Sequence, residues 1–263
     1  MIPKKIHYFW IGGNSKPESV LYCIDSWKKY CPDYEIIEWN ESNYDFTKNE
    51  YMRQAYEAKK WGFVPDYARL DVIYQYGGIY LDTDVEIIRP LGSLLCNKAF
   101  MGIEKTTEKK HYVACGLGFG AEPGNSLIRR MMAEYDSISF YREDGTLNLL
   151  PSPQYNTKTM ERYGFSFEDQ DQMIEDVMVY ASDVLCPKMY CSSEMHLTER
   201  TVSIHHYDGS WMDGNRKRLY NRNVRLNQLL GDHTGNKVAK ALEDFEYLLQ
   251  AVKRHLNKKT ARY

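Results

Sequence analysis

Residues 76–84 read Tyr76-Gly77-Gly78-Ile79-Tyr80-Leu81-Asp82-Thr83-Asp84. The residues just before them, 65–76, carry Ala68, Leu70, Val72, Ile73 and Tyr76, apolar positions of a helix that opens on Pro65. Gly77-Gly78 ends that helix, as glycine after a last turn does. Ile79-Tyr80-Leu81 then reads as a short strand, stopped by Asp82-Thr83-Asp84. In an extended backbone residues i and i+2 project to the same side, so both carboxylates can face one hard divalent cation. Mg²⁺ and Mn²⁺ prefer carboxylate oxygen and bridge to phosphate oxygens. A solvated acidic turn is the competing reading of so short a pattern.

Outward from this stretch the chain alternates strand and helix. The run Ile6-His7-Tyr8-Phe9-Trp10-Ile11 ends at Gly12-Gly13-Asn14 and reads as a buried first strand. Val20, Leu21, Ile24 and Trp27 have helical spacing, broken by Pro32-Asp33, and Tyr34 to Trp39 reads as a second strand. Strand, helix, strand is the unit of a parallel sheet with crossover helices, so the fold class is α/β. Residues 50–61 read as a polar helix and Val85 to Ile88 as extended. Gly116, Gly118 and Gly120 suggest a strand whose backbone approaches something closely. Leu127 to Tyr135 reads as a helix, 137–170 as loops and short helices, and 177–180 and 202–206 as late strands. Val238, Leu242, Phe245, Leu249, Val252 and Leu256 form one stripe of an amphipathic helix over 236–256. The expected division is 1–235 for the main domain and 236–263 for a helical extension of it.

Other residues bear on the same chemistry. Asp66 and Arg69 are i,i+3 neighbours on the helix before the aspartates. They form either a surface ion pair or one site, where arginine would bind hydroxyls or phosphate in bidentate fashion. His205 and His206 precede a turn glycine, Gly209. Either imidazole could close a coordination begun by Asp84, or simply cap a strand. Trp10 is a core residue or a stacking platform for a base, and Trp211 carries the same ambiguity.

Composition removes whole classes. Charged residues at 27% beside 14% aromatics argue against disorder. No apolar run approaches the ~20 residues of a membrane span. A net charge of -2 gives no general case for nucleic-acid binding. That balance hides an asymmetry: residues 210–263 hold 12 Lys+Arg against 5 Asp+Glu, and residues 1–209 hold 22 against 31. The basic end is either a helix packed on the core with a solvated face or a surface for anionic lipid. The six cysteines form no C-x-x-C pair and no secretory leader is legible, so free thiols and a cytoplasmic setting are expected.

Taken in order, Ile2-Pro3-Lys4-Lys5-Ile6-His7-Tyr8-Phe9-Trp10-Ile11-Gly12, Ser26-Trp27, Asp66-Tyr67-Ala68-Arg69-Leu70-Asp71, the stretch 76–84, His205-His206 and Ser210-Trp211 resemble glycosyltransferase family 32. The resemblance covers roughly residues 2–211 and implies a GT-A fold, a Rossmann-like nucleotide-sugar-binding domain with a mixed central sheet. It implies a UDP-sugar or GDP-sugar donor, Mn²⁺ or Mg²⁺, and retention of anomeric configuration. By position, Trp10 would stack on the nucleobase. Asp66 and Arg69 would bind the donor sugar. Asp82 would contact ribose, sugar and, through water, the metal, with Tyr80 beside it on the cofactor side. Asp84 would ligate the metal, and His206 resembles the second metal ligand, with His205 as second choice. Ser210 and Trp211 would close over the diphosphate.

Pro151-Ser152-Pro153-Gln154-Tyr155-Asn156-Thr157 matches the family's acceptor-side loop only in part. No nucleophile stands out; Asn156, Asp171 and Asp176 lie where the sugar is expected. The resulting expectation is a metal-dependent hexosyltransferase making a surface, capsular-type polysaccharide on a saccharide or lipid-linked acceptor, with peripheral membrane contact through the basic helix. A nucleotide-sugar- or carbohydrate-binding protein without turnover, and a metal-dependent phosphoesterase, are the alternatives.

Overall fold

The computed structural model describes residues 1–107, 110–209, 212 and 214–260, with side chains to 249. It divides into two compact units: Met1–Tyr190 with His196–Trp211, and Cys191–Met195 with Met212–Tyr263. The sequence reading divides the chain at 235/236 instead.

Unit 1 opens as β1 (Lys5–Phe9), α1 (Glu18–Tyr30) and β2 (Glu35–Trp39), with β1 and β2 parallel. After α2 (Glu50–Glu57) and α3 (Pro65–Tyr76), β3 (Gly78–Tyr80) lies parallel to β1 on its other side. The crossover through α3 depends on Gly77 and Gly78. Both have positive φ, 62° and 101°. A Cβ at Gly77 would stand 2.7 Å from Pro123 Cδ, and one at Gly78 would stand 2.9 Å from the Lys5 carbonyl oxygen. The paired glycines therefore end the helix and also let β3 meet β1.

Beyond β4 (Val85–Ile87) the chain forms β5 (Ala99–Thr107), β6 (Lys110–Val113) and β7 (Phe119–Ala121). Then follow α4 (Ser126–Asp136), α5 (Ser152–Glu161), β8 (Gln172–Ile174), β9 (Val177–Tyr180), the short α6 (Ser182–Leu185) and β10 (Ser203–His205). The main sheet runs β2-β1-β3-β7-β5-β9-β8, with β6 on β5. Pairs β1–β2, β1–β3 and β5–β9 are parallel; β3–β7, β5–β7, β5–β6 and β8–β9 are antiparallel. The sheet is mixed and the class is α/β, as expected. The long strand β5 was not legible: Gly102 interrupts its apolar run, and charge follows at Glu104-Lys105.

Helices cover both faces of the sheet. Tyr8 of β1 meets Trp27 of α1 edge-on at 5.5 Å, and the fully buried Trp27 donates from Nε1 to the Val85 carbonyl at 2.7 Å. Phe9, the next residue, belongs to the opposite core with Met52, Leu70, Ile73 and Met131 of α2, α3 and α4. Alternation along β1 thus feeds two layers. The six cysteines are free, and among the described residues no helix is long and apolar enough to cross a membrane.

Unit 2 contains α7 (Gly214–Leu230) and α8 (Asp232–Thr260), joined at Gly231. They meet through small and polar groups. Ala239 is buried, Arg222 of α7 pairs with Glu246 at 2.8 Å, and Asn223 donates to Glu243 at 3.0 Å. The apolar stripe read from the sequence does not pack inward: Leu242, Phe245 and Leu249 are exposed and Val238 is half-buried. Val252 and Leu256 lie outside the described side chains.

Candidate active site

Asp82 and Asp84 leave the end of β3 at the edge where the parallel strands present their carboxyl ends, the usual ligand edge of an α/β sheet. β4 then pairs antiparallel with β10, His205 opposite Val85. This ribbon returns a distant part of the chain to the aspartates. Ligand-type atoms of Asp82, Asp84 and His205 lie within 4.8 Å of one another. His205 Nε2 is 3.2 Å from Asp84 Oδ1. His206 turns the other way, its Nε2 lying 3.0 Å from Glu86 Oε2, and it reaches Asp84 only through its backbone N–H, which donates to the Asp84 carbonyl. The structure therefore brings His205 to the carboxylates, and His206, the first choice from sequence, does not reach them. Adjacent residues at a strand end face opposite sides, and the register with Val85 selects His205.

Electrostatics favour a positive occupant between these groups. Burial alone would raise the Asp84 carboxyl, but His205 and the Asp208 N–H, which donates to Asp84 Oδ2 at 3.0 Å, bring it down to about 2. Burial alone would lower the His205 imidazole, but Asp84 outweighs that and pushes it up to about 9. A proton held between two ligand-type atoms occupies the place a cation takes on binding, since binding releases it. Two carboxylates and one imidazole suit Mn²⁺ or Mg²⁺.

Asp66 and Arg69 are not a surface pair. Each is 4% exposed, and Arg69 Nη2 donates to Asp66 Oδ1 at 2.6 Å. Arg69 also donates from Nε to the Pro65 carbonyl at 3.0 Å, reaches Asp82 Oδ1 at 3.4 Å, and lies 5.2 Å over the Tyr80 ring. Burial would lower the guanidinium; Asp82, Tyr80 and Asp66 together hold it above its ordinary value. Burial pushes Asp66 up to about 7 against the pull of Arg69. Tyr80 donates from its hydroxyl to Asp82 Oδ1 at 2.8 Å, and burial with Asp82 raises its phenol far above normal. Gly116 makes room for this cluster: a Cβ there would lie 2.4 Å from Asp82 Oδ2 and 3.2 Å from Arg69 Nη1. Of the glycines expected on a strand, Gly116 lies before it in the turn Cys115–Leu117, and Gly120 lies in β7, where a Cβ would stand 2.8 Å from the Gly78 carbonyl oxygen.

These groups line a cavity of about 270 Å³. Asp66, Arg69, Asp82 and His205 stand in its wall with Glu104, Tyr112, Ser152 and Tyr207. Sequence reasoning missed Glu104, because the stretch around it shows no clean period; the apolar run Ala99 to Ile103 breaking into charge was the available signal. Trp10 follows β1 at the same sheet edge but is not in the cavity wall. Its Nε1 donates to the Asn14 carbonyl at 2.7 Å and the Lys16 ammonium lies 5.7 Å over its ring. Asp171 pairs with Arg200 and Asp176 accepts from Asn125, both away from the cavity wall. Asn156 is buried and does not stand in the cavity wall. Ser210 and Trp211 lie outside the described residues.

Residues 17–101 match the family model described as the glycosyltransferase sugar-binding region containing a DXD motif, and Asp82-Thr83-Asp84 falls within the match. The match covers about a third of the chain, the part that runs from α1 into β5. In this chain the D-x-D motif directly follows a strand of a mixed α/β sheet. Two relatives illustrate the range. Subversion of eukaryotic traffic protein A of Legionella pneumophila subsp. pneumophila (strain Philadelphia 1) is 27% identical over 129 residues, 36% of this chain and 20% of that protein. Inositol phosphoceramide mannosyltransferase 3 of Schizosaccharomyces pombe (strain 972) is 37% identical over 98 residues, 36% of this chain and 27% of that protein. The chain spans about a quarter of the length of these two relatives. Among solved structures, PaToxG glycosyltransferase is similar over 61% of this chain and 69% of that chain, with 22% identity and a TM-score of 0.48.

Proposed function

We propose that this chain transfers a hexose from a nucleotide sugar, by preference a UDP-sugar, to a saccharide or lipid-linked acceptor, with retention of configuration, in the synthesis of a surface polysaccharide. The observation that carries the reading is the Asp82–Asp84–His205 cluster beside a cavity walled by Asp66 and Arg69. A divalent cation held by Asp84 and His205, with Asp82 beside it, would supply the positive charge that a departing diphosphate needs. Arg69 and Asp66 offer a fixed donor and acceptor for sugar hydroxyls, pre-oriented by their own pairing. Tyr80 and Arg69 hold Asp82 in place from two sides. In the transfer, the anomeric carbon's bond to the diphosphate oxygen breaks and the electron pair leaves with the nucleoside diphosphate. The acceptor oxygen forms the new bond, and its proton ends on the departing diphosphate, directly or by way of the side chain that accepts its hydrogen bond.

The test is a panel of UDP-glucose, UDP-galactose, UDP-N-acetylglucosamine and GDP-mannose with Mn²⁺, scored by donor hydrolysis and thermal shift. Asp84→Ala is expected to stay folded and to lose about 10²–10³-fold in rate. Full activity in that variant, or in excess chelator, refutes the metal role. Rapid hydrolysis of p-nitrophenyl phosphate with no nucleotide-sugar activity would favour a phosphoesterase instead. Two carboxylates and one histidine are few for a two-metal centre.

The peripheral membrane contact is part of the same proposal and concerns unit 2. Leu242, Phe245, Leu248 and Leu249 are exposed on α8, and residues 210–263 carry 12 Lys+Arg against 5 Asp+Glu. An apolar stripe on a basic helical pair complements an anionic bilayer on the cytoplasmic side, where a lipid-linked acceptor would sit. Co-sedimentation with phosphatidylglycerol-containing vesicles but not with pure phosphatidylcholine is expected. Equal binding to both, or to neither, rejects it.

A further inference from the structure

The cavity wall holds three carboxylates: Asp66, Asp82 and Glu104. Two are engaged. Asp66 accepts from Arg69, and Asp82 accepts from the Tyr80 hydroxyl and lies against Arg69. Glu104 makes no hydrogen bond and no ion pair among the described residues. It sits on β5 opposite Tyr112 of β6, and Thr106, two residues on, shares its face. Lys105, between them, points away to Asp169, 3.6 Å from its carboxylate. The result is a second wall of the cavity carrying a carboxylate, a hydroxyl and a phenol ring.

That wall suits one ligand chemistry. A saccharide offers hydroxyl donors on its edge and C–H groups on its face, and a carboxylate beside an aromatic ring meets both. The anionic diphosphate would be repelled by Glu104 and attracted by Arg69 and a cation at Asp84 and His205. Glu104 is near that cluster without belonging to it, since it feels His205 and Asp82 but lies outside the group of mutual ligands. Burial holds its carboxyl above the ordinary range, with Asp82 adding to the shift and His205 opposing it. Glu104 is half-buried and faces the cavity, so its carboxylate is open to accept from a bound hydroxyl.

We propose that Glu104 accepts the hydrogen bond of the attacking hydroxyl and aims its lone pair at the anomeric carbon. The proposal rests on the transferase reading and assigns the acceptor side of the same cavity. In the absence of an acceptor a water takes this place, and donor hydrolysis then reports on Glu104 whatever the natural acceptor is.

The experiment compares wild type, Glu104→Gln and Glu104→Ala in Mn²⁺-dependent hydrolysis of the four nucleotide sugars named above, by steady-state kinetics. The expected result is a kcat lower by about 100-fold in both variants, the cost of a misaimed reactant, with donor KM within about twofold of wild type. Sodium formate is expected to restore part of the rate of Glu104→Ala, because a small carboxylate can enter the space left. Wild-type kcat in either variant overturns the assignment and leaves the transferase reading intact. A raised donor KM with unchanged kcat also overturns it, since Glu104 would then hold the donor. A wild-type protein that hydrolyses none of the four donors overturns the transferase reading itself, and the assignment with it. The isosteric Glu104→Gln variant, with an unchanged melting temperature, separates loss of function from loss of fold.

Discussion

In unit 1, Asp66 and Arg69 are 4% exposed and held 2.6 Å apart. In unit 2, Phe245 and Leu249 are 58% and 46% exposed, on a helix whose packed face carries Glu243 and Glu246 against Arg222. One region buries charge and the other shows hydrocarbon to solvent. Each arrangement costs free energy in isolation: burying an ion costs several kcal/mol before pairing offsets it, and exposed apolar stripes forgo ~25 cal/mol per Å². The comparison teaches where to look for ligands. Charge kept inside implies a polar molecule that enters; hydrocarbon kept outside implies a surface that covers it.

The contrast can be attacked at four points. The largest effect is expected from Arg69→Met, which leaves Asp66 and Asp82 without their cation. Urea unfolding should show a loss of about 3–5 kcal/mol, and Arg69→Lys should recover only part because lysine lacks the planar fork. A loss under ~1 kcal/mol would mean that the buried charges are not coupled.

Next comes His7, buried on β1 opposite Tyr80 of β3. Trp39 Nε1 donates to its Nδ1 at 3.0 Å, and its Nε2 is 2.9 Å from the Gly77 carbonyl, so both nitrogens are satisfied in the neutral ring. Burial pushes the imidazole down to about 4. The unfolded chain, near 6.5, then binds the extra proton, so this stability is complete above pH 6.5 and is lost as pH falls toward 4. Stability measured across that window should drop by about 3 kcal/mol from this group, and His7→Gln should flatten the slope. An unchanged slope in the variant rules the group out.

Gly116→Ala is expected to lower donor hydrolysis by about 10²-fold, because its Cβ would displace Asp82 and Arg69. A variant with wild-type kcat would show that the cluster relaxes freely. The smallest effect belongs to Phe245→Ser, which should change stability by no more than ~0.5 kcal/mol while reducing vesicle binding. Ala239→Leu, on the packed face of the same helix, should cost about 1–3 kcal/mol. If Phe245→Ser proved the more destabilising of the two, the assignment of inner and outer faces would be reversed.

Most of the candidate site was legible locally. The helix 65–76, Gly77-Gly78 and the strand before Asp82 follow from spacing and from the two residue types that end a helix. The i,i+3 spacing of Asp66 and Arg69 placed them on one face, and burial then made them part of the cavity. Two features resisted. The assignment of His206 over His205 failed because neighbouring histidines are equivalent until strand pairing chooses a face. The helix 236–256 was legible, but its spacing leaves open whether the stripe packs inward, and the structure buries Ala239 instead while Leu242, Phe245 and Leu249 stay exposed.

By itself, the sequence determined the order of elements, the turn at Gly77-Gly78 and the two carboxylates of Asp82-Thr83-Asp84. These depend on φ, side-chain period and residues a few positions apart. Only the tertiary structure decided which histidine joins them, that Glu104 shares their cavity, and which face of α8 stays bare. Those are pairings between segments far apart in the chain. Their register is set by packing of the whole sheet and by nothing that neighbouring residues carry.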